Sequence, residues 1–85
     1  MIYLIHFDQP LSHAQHYIGF TDDNLEQRIA THKAGNGSKL LRAVNKAGIE
    51  WSVVRTWEGD RKQERKLKNR KKARLLCPVC SQTKV

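Results

Sequence analysis

Alternation of side chains near the N-terminus is the feature that most constrains the fold. Over residues 2–7, Tyr3, Ile5 and Phe7 alternate with the residues between them, and a period of two predicts a β-strand. Residues 16–20 and 49–57 predict two further strands. Pro10 should end the first strand because proline has no N–H to donate to a ladder. The first two strands are close enough in sequence to form a hairpin.

Three helices are predicted from their capping residues. Asp23, Ser38 and Asp60 each precede a helical segment and can accept a hydrogen bond from its unpaired N–H groups. Glycines follow the first two segments, and we expect the third helix to continue to about Leu75, before Pro78 stops it. The element order is then ββααβα. The predicted class is α/β (α+β), with a three-stranded, mainly antiparallel sheet flanked by helices.

Two tryptophans lie in the predicted third strand. Trp51 and Trp57 have the same strand parity, so both should point to one face of the sheet. We expect both to pack in the core, although an exposed tryptophan could instead stack on nucleic acid bases.

Charge narrows the class of partner. The 85 residues leave room for one domain, and 16 Lys and Arg against 8 Asp and Glu give a net charge of +8. Such an excess favours nucleic acid over a membrane surface as the partner. No apolar run approaches the ~20 residues of a membrane span, and no signal peptide is evident, so we expect a cytoplasmic protein.

Most of the excess charge lies in one segment, residues 61–74, where nine of fourteen residues are Lys or Arg. These cations surround the predicted helix and should contact phosphates. Such contacts give an affinity for nucleic acid that falls with salt, and they discriminate little between base sequences. The predicted nucleic-acid-binding residues are Lys62, Arg65, Lys66, Lys68, Arg70, Lys71, Lys72 and Arg74.

Glu64 is the sole acid of this basic segment. A carboxylate there suits one hard divalent cation, although it could equally form an i,i+4 pair with Lys68. Arg28 and His32 lie four residues apart on a predicted helix and can reach one site together. The alternative to a shared site is that Arg28 is merely solvated and that His32 is a cation interacting with the helix dipole at the C-terminal end.

The chain carries Tyr3, the tripeptide Tyr17-Ile18-Gly19, and Arg28, His32 and Glu64, in this order on the predicted elements. In these residues it resembles the GIY-YIG nuclease family, over residues 1–74. Two departures are visible. Met1 stands where the first family motif has glycine. Many relatives also have an asparagine beyond the metal-binding acid, and the sole asparagine after Glu64 is Asn69, whose helix position is not a clear match.

The resemblance implies a metal-dependent endonuclease that hydrolyses phosphodiester bonds of nucleic acid, DNA rather than RNA. It implies that Tyr3 or Tyr17 activates water, although Tyr3 could also be a packing residue. Arg28 would stabilise the developing charge, and His32 would assist. Glu64 would bind a single Mg²⁺ or Mn²⁺, and the products would carry a 5′ phosphate and a 3′ hydroxyl. The alternative is a noncatalytic basic module with the same fold that binds nucleic acid.

The end of the chain carries a Cys77-x-x-Cys80 pair. We predict a nuclease domain over residues 1–76 and a short tail over 77–85. The pair is half of a zinc site, which two histidines or another chain would have to complete. A reduced mobile tail, a zinc-linked dimer and a redox pair remain as alternatives. We expect a monomer unless the tail joins two chains.

Overall fold

The protein folds as an antiparallel sheet with helices on both of its faces. In this computed structural model the described residues are 1–12, 14–22, 24–69 and 76–81, without the side chains of residues 80 and 81. The strands are β1 (Ile2–Leu11), β2 (Ala14–Phe20) and β3 (Trp51–Trp57), and the helices are α1 (Leu25–Lys33), α2 (Lys39–Lys46), α3 (Arg61–Asn69) and α4 (Pro78–Ser81). The sheet order is β2-β1-β3, which confirms the predicted class and the order ββααβα. None of the helices within these ranges has the length and apolarity to cross a membrane.

The central strand β1 divides the core into two layers. On one side, here called the front face, Tyr3, Ile5 and Phe7 pack with Leu41 and Val44 of α2. All five side chains are completely buried. The period of two predicted for residues 2–7 is therefore confirmed.

The opposite side, here called the back face, carries the alternate residues of β1. Ile2 and Leu4 pack there with Ile18 of β2 and with Cys77 near the chain end, and Leu67 of α3 packs against them. The basic helix α3 is therefore anchored to the sheet by an apolar residue, while its charged side chains remain available at the surface.

Pro10 does not end the first strand, contrary to prediction. β1 continues to Leu11, and the β1–β2 register shifts between the His6–His16 and Leu11–Ala14 pairs. Pro10 lies in this irregular stretch, where a missing ladder donor is tolerated. Ser12 then turns the chain with a positive φ of 57°.

The two tryptophans of β3 lie on opposite faces, so the prediction of a shared face was wrong. The β1–β3 register changes between Leu4, which pairs with Arg55, and Ile5, which pairs with Val53. The extra residue reverses the alternation beyond it. Trp51 packs against the front cluster and Trp57 against the back cluster, so both contribute to the core as expected.

Two of the three predicted caps are confirmed. The Oγ of Ser38 accepts from the backbone N of Leu41 at 3.5 Å, and Oδ1 of Asp60 accepts from the N of Gln63 at 3.0 Å. Before α1 the cap is instead Asn24, whose side chain accepts from Glu26. Asp23 lies outside the described residues.

The end of the third helix is only partly described. The structure describes α3 as far as Asn69, so its predicted continuation to residue 75 falls outside the described ranges. Pro78 does not act only as a stop, because it is the first residue of α4. Proline is well suited to this position, where its missing N–H would have had no helical partner.

Candidate active site

A cleft opens where β2, α1 and α3 meet. It consists of two adjoining cavities of about 180 and 260 Å³ that share Phe20, Arg28 and Arg61. The smaller cavity is also lined by Tyr17, Glu64 and Arg65, and the larger by Thr21, Asp22, Gln27 and Thr31. Nearly all of these side chains are polar or charged, so the cleft suits a charged ligand better than an apolar one.

Three of the predicted catalytic residues line the smaller cavity together, and Arg65, predicted to bind nucleic acid, lines it as well. Tyr17 comes from β2, Arg28 from α1 and Glu64 from α3. They are separated by up to 47 residues in sequence, and the fold alone brings them together. The cavity thus combines a phenol, a guanidinium and a carboxylate.

Tyr3 and His32 lie behind this cavity and do not line it. Both side chains are completely buried, and the Tyr3 Oη lies 2.6 Å from Nε2 of His32. The Tyr17 ring contacts both, with ring centroids 6.2 Å from Tyr3 and 5.6 Å from His32. The predicted residues therefore form two layers, in which Tyr17 separates the buried pair from the cleft.

The protonation of the buried pair follows from its surroundings. Burial, together with the positive charge of Arg28, lowers the pKa of His32 to about 4. Burial also raises the pKa of Tyr3, although hydrogen bonding to Arg28 opposes this. Near neutral pH both groups are uncharged, and one hydrogen bond joins the Tyr3 hydroxyl to Nε2 of His32 in either tautomer of the ring. His32 is therefore not the helix-end cation of the alternative interpretation.

Two glycines make room for these rings. Gly19 faces Tyr3 across the β1–β2 ladder, and a Cβ there would overlap Cζ of Tyr3 and lie 2.8 Å from Cε2 of Tyr17. A Cβ on Gly37 would lie 2.6 Å from Cε1 of His32. Both distances are shorter than real Cβ contacts, so any larger residue would displace the rings. The glycine of the Tyr17-Ile18-Gly19 motif thus has a steric role.

Arg28 is the electropositive centre of the cleft. Its Nε is buried and has no hydrogen-bond partner within the described part of the chain. A buried donor without a partner is costly, and a guanidinium can bind two oxygens of one phosphate. The arrangement is therefore suited to an anionic ligand in the cleft.

Glu64 faces the cleft from α3. Its side chain is 16% exposed, and its Oε2 lies 3.7 Å from Nζ of Lys68, so the predicted i,i+4 pair is present. The Lys68 Nζ also lies 5.3 Å from the Tyr17 ring centroid. One accessible carboxylate beside a cavity fits a hard divalent cation that keeps most of its waters. The donor set is thus compatible with one Mg²⁺ or Mn²⁺.

The predicted nucleic-acid-binding residues divide into two groups. Lys62, Arg65, Lys66 and Lys68 lie exposed on α3. The predictions for Arg70, Lys71, Lys72 and Arg74 fall outside the described residues.

The sequence prediction missed several residues that line the cleft. Arg61 lies between both cavities, with its guanidinium carbon 5.7 Å from the Phe20 ring centroid. Its position three residues before Glu64 places it on the same side of α3 and could have identified it. Phe20 is the last residue of β2, and Asp22 belongs to the segment that links β2 to α1, for which no helical or strand pattern is informative.

Cys77, the first cysteine of the Cys-x-x-Cys pair, is packed into the fold. Cys77 is completely buried on the back face, so the mobile-tail alternative does not describe this residue. The side chain of Cys80 lies outside the described part of the structure. The division into a domain over 1–76 and a tail over 77–85 stays a prediction.

Comparison with known proteins gives one family. A family model described as the GIY-YIG catalytic domain matches residues 1–76, which is most of the 85 residues. No curated protein and no solved structure matches the chain significantly. The matched range contains Tyr17, Arg28 and Glu64 of the cleft and the buried pair behind it. The chain therefore belongs to the GIY-YIG family of nuclease domains.

Proposed function

We propose that this protein is a metal-dependent endonuclease that hydrolyses phosphodiester bonds in DNA. The observation that carries the proposal is the single cleft lined by Tyr17, Arg28 and Glu64, which come from three different elements. Phosphodiester hydrolysis needs a positioned water, a group that takes its proton and positive charge near the phosphate oxygens. Tyr17 can take the proton, and Arg28, with a cation held by Glu64, can supply the positive charge.

Tyr17 is the group proposed to take the proton from the attacking water. It lines the cleft, whereas Tyr3 has no exposed surface and cannot meet a water bound there. A tyrosine acts as a base only as phenolate, a form that nearby cations favour. Arg28 shares the cavity with Tyr17, and Lys68 lies over its ring, so both cations can stabilise that form.

Tyr3 and His32 are proposed to be positioning residues. Their mutual hydrogen bond fixes two rings directly behind Tyr17, and those rings restrict how Tyr17 can move. His32 is buried and uncharged near neutral pH, so it is not suited to binding phosphate itself. The assisting role predicted for His32 is therefore proposed to be the orientation of Tyr17.

Arg28 is proposed to bind the scissile phosphate. Its buried Nε would then gain the acceptor that the described residues do not provide. Charge on the phosphate oxygens grows as water attacks phosphorus, so a fixed guanidinium stabilises the transition state more than the ground state.

Glu64 is proposed to hold the divalent cation at the edge of the same cavity. When bound, the cation would act as a Lewis acid on the phosphate and stabilise the departing 3′ oxygen. Cleavage of the bond between phosphorus and that oxygen leaves a 5′ phosphate and a 3′ hydroxyl. The ion pair with Lys68 would have to loosen, and an i,i+4 pair on a helix contributes only ~0.3–0.5 kcal/mol.

The substrate proposal rests on charge and on the family. The exposed cations of α3 lie beside the cleft and can contact the phosphates that flank the cleaved bond. Such contacts do not read base edges, so we expect low sequence specificity. A nucleic acid partner follows from the nuclease family, and DNA rather than RNA is the proposed substrate.

The test is incubation of purified protein with end-labelled single-stranded, duplex and branched DNA and with matched RNA. Each substrate is assayed with Mg²⁺, with Mn²⁺ and with a chelator. We expect metal-dependent internal cleavage of at least one DNA substrate, with ends that a ligase can rejoin. Salt-sensitive binding without a cleavage product on any substrate would instead support the noncatalytic module.

A further inference from the structure

Two histidines and a cysteine converge on the back face, away from the cleft. His6 of β1 pairs with His16 of β2, and the His6 Nδ1 lies 3.4 Å from Nε2 of His16. The Sγ of Cys77 lies 3.5 Å from the same Nδ1, although 71 residues separate the two in sequence. All three donor atoms lie within 4.8 Å of one another.

These distances match the edges of a tetrahedral zinc site. Zinc binds nitrogen at about 2.1 Å and thiolate sulfur at about 2.3 Å, which at tetrahedral angles separates two nitrogens by ~3.4 Å and nitrogen from sulfur by ~3.6 Å. The observed separations of 3.4 and 3.5 Å agree with both values. Two of the three edges therefore match a shared ion, and the third, between His16 and Cys77, lies within 4.8 Å.

Hydrogen bonding explains the convergence less well. The Nδ1 of His6 takes part in both short contacts, yet a ring nitrogen has either one lone pair or one hydrogen. Two full hydrogen bonds at this single atom are therefore not available. A cation between the three atoms would instead let each donor use its own lone pair.

We propose that His6, His16, Cys77 and Cys80 bind a structural Zn²⁺. Cys80 is included because the Cys-x-x-Cys spacing is a common source of two zinc ligands and a closed structural site needs four. Imidazole and thiolate ligands select zinc over the hard cations that Glu64 would bind. This site goes beyond the nuclease function and does not depend on it.

The site would join the chain end to the β1–β2 hairpin. Cys77 packs with Ile2, Leu4 and Ile18 on the back face, whereas Tyr3 and Tyr17 lie on the front side of the sheet. The ion would therefore sit behind the strands that carry both tyrosines and would stabilise them without meeting substrate. Two histidines from the hairpin complete the cysteine pair within one chain, so no dimer is required.

The first experiment measures metal in the reduced, full-length protein after purification without chelator. We expect about one zinc ion per chain by elemental analysis. After removal of zinc, Co²⁺ should produce the intense visible bands of a tetrahedral site and the near-ultraviolet band of a cobalt–thiolate bond. Absence of both zinc and these bands would overturn the proposal, and this readout needs no variant to fold.

Variants then test the ligand set. Cys80→Ser and His16→Gln should each weaken zinc affinity by ~100-fold or more. Mutation of a residue that only hydrogen-bonds to a metal ligand already lowers metal affinity by about 10–100-fold, and loss of a ligand itself should cost at least as much. His13→Gln, a histidine outside the proposed set, and Glu64→Gln, in the cleft, should bind zinc as the wild type does. Unchanged affinity in Cys80→Ser would refute the four-ligand site. Loss of zinc in Glu64→Gln would refute its separation from the nuclease centre.

Discussion

The hydroxyl of Tyr3 lies 2.6 Å from Nε2 of His32, and neither side chain has any exposed surface. This buried hydrogen bond joins β1 to α1 directly behind Tyr17. The histidine of this pair is uncharged near neutral pH, because burial and the neighbouring charge of Arg28 lower its pKa. The protonation state of one buried ring is therefore coupled to the stability of the fold and to the position of the cleft.

The pH dependence of stability is the first prediction. The pKa of His32 is about 4 in the folded chain, against about 6.5 for a free histidine. As the pH falls below 6.5, the unfolded chain binds a proton that the folded chain does not, so the free energy of unfolding falls until about pH 4. We expect a loss of roughly 1 kcal/mol per pH unit in this window, measured by urea unfolding.

His32→Gln is the matched variant for this measurement. It should be less stable than the wild type at pH 7 because it leaves the Tyr3 hydroxyl poorly paired. Its stability should nevertheless fall less between pH 7 and pH 5. An identical fall in both proteins would show that His32 is not the titrating group.

Gly19→Ala tests the steric role of the motif glycine. The added Cβ would overlap the Tyr3 ring and press on Tyr17, so we expect a loss of about 1–3 kcal/mol in unfolding free energy. Cleavage should fall as well, because both rings must shift. Gly48→Asn is the control, since a Cβ there meets nothing within 4 Å and asparagine tolerates its positive φ of 73°. Equal effects of the two substitutions would contradict this explanation.

Conservative substitution separates the roles of the two tyrosines. Tyr17→Phe removes the hydroxyl at the cleft and should lower the rate of the chemical step by about 100-fold or more, as expected for loss of a general base. Tyr3→Phe removes a hydrogen bond behind it and should cost stability, with a smaller loss of rate. Single-turnover cleavage and thermal unfolding measure the two effects. If Tyr3→Phe lowered the cleavage rate more than Tyr17→Phe does, Tyr3 would be the base.

Arg28→Lys tests whether geometry or charge matters at the phosphate. Lysine keeps the charge but loses the planar donor pair, so we expect a fall of about 10²–10³ in cleavage rate with little change in DNA affinity. Arg42→Lys, at an exposed position on α2, should cleave as the wild type does. A fully active Arg28→Lys protein would show that charge alone suffices.

The local features of the fold could be predicted from the sequence because they depend on neighbouring residues. Ser38 and Asp60 cap their helices as expected, and the alternation of residues 2–7 gives the two faces of β1. Prediction failed where pairing between strands decides the outcome. A bulge in β3 moves Trp51 and Trp57 to opposite faces, and a period of two cannot anticipate it.

The histidine and cysteine cluster illustrates the same limit. If the Leu11–Ala14 register continued along β1, Gly19 would lie opposite His6. The register shift near Pro10 instead brings His16 to that position. Neither the shift nor the burial of Cys77 beside it leaves a signal in residue spacing. For the cleft, the order of the motif residues was informative, but their division into a cleft layer and a buried layer required the structure.

The most direct test of the nuclease centre compares Glu64→Gln with Glu58→Gln, an exposed acid outside the cleft. Single-turnover cleavage of a substrate cut by the wild type is measured in Mg²⁺, together with DNA binding and thermal unfolding. We expect Glu64→Gln to bind DNA and remain folded while its cleavage rate falls by about 10³ or more, and Glu58→Gln to match the wild type. Undiminished cleavage by Glu64→Gln would contradict the assignment of the metal-binding carboxylate and with it the proposed centre.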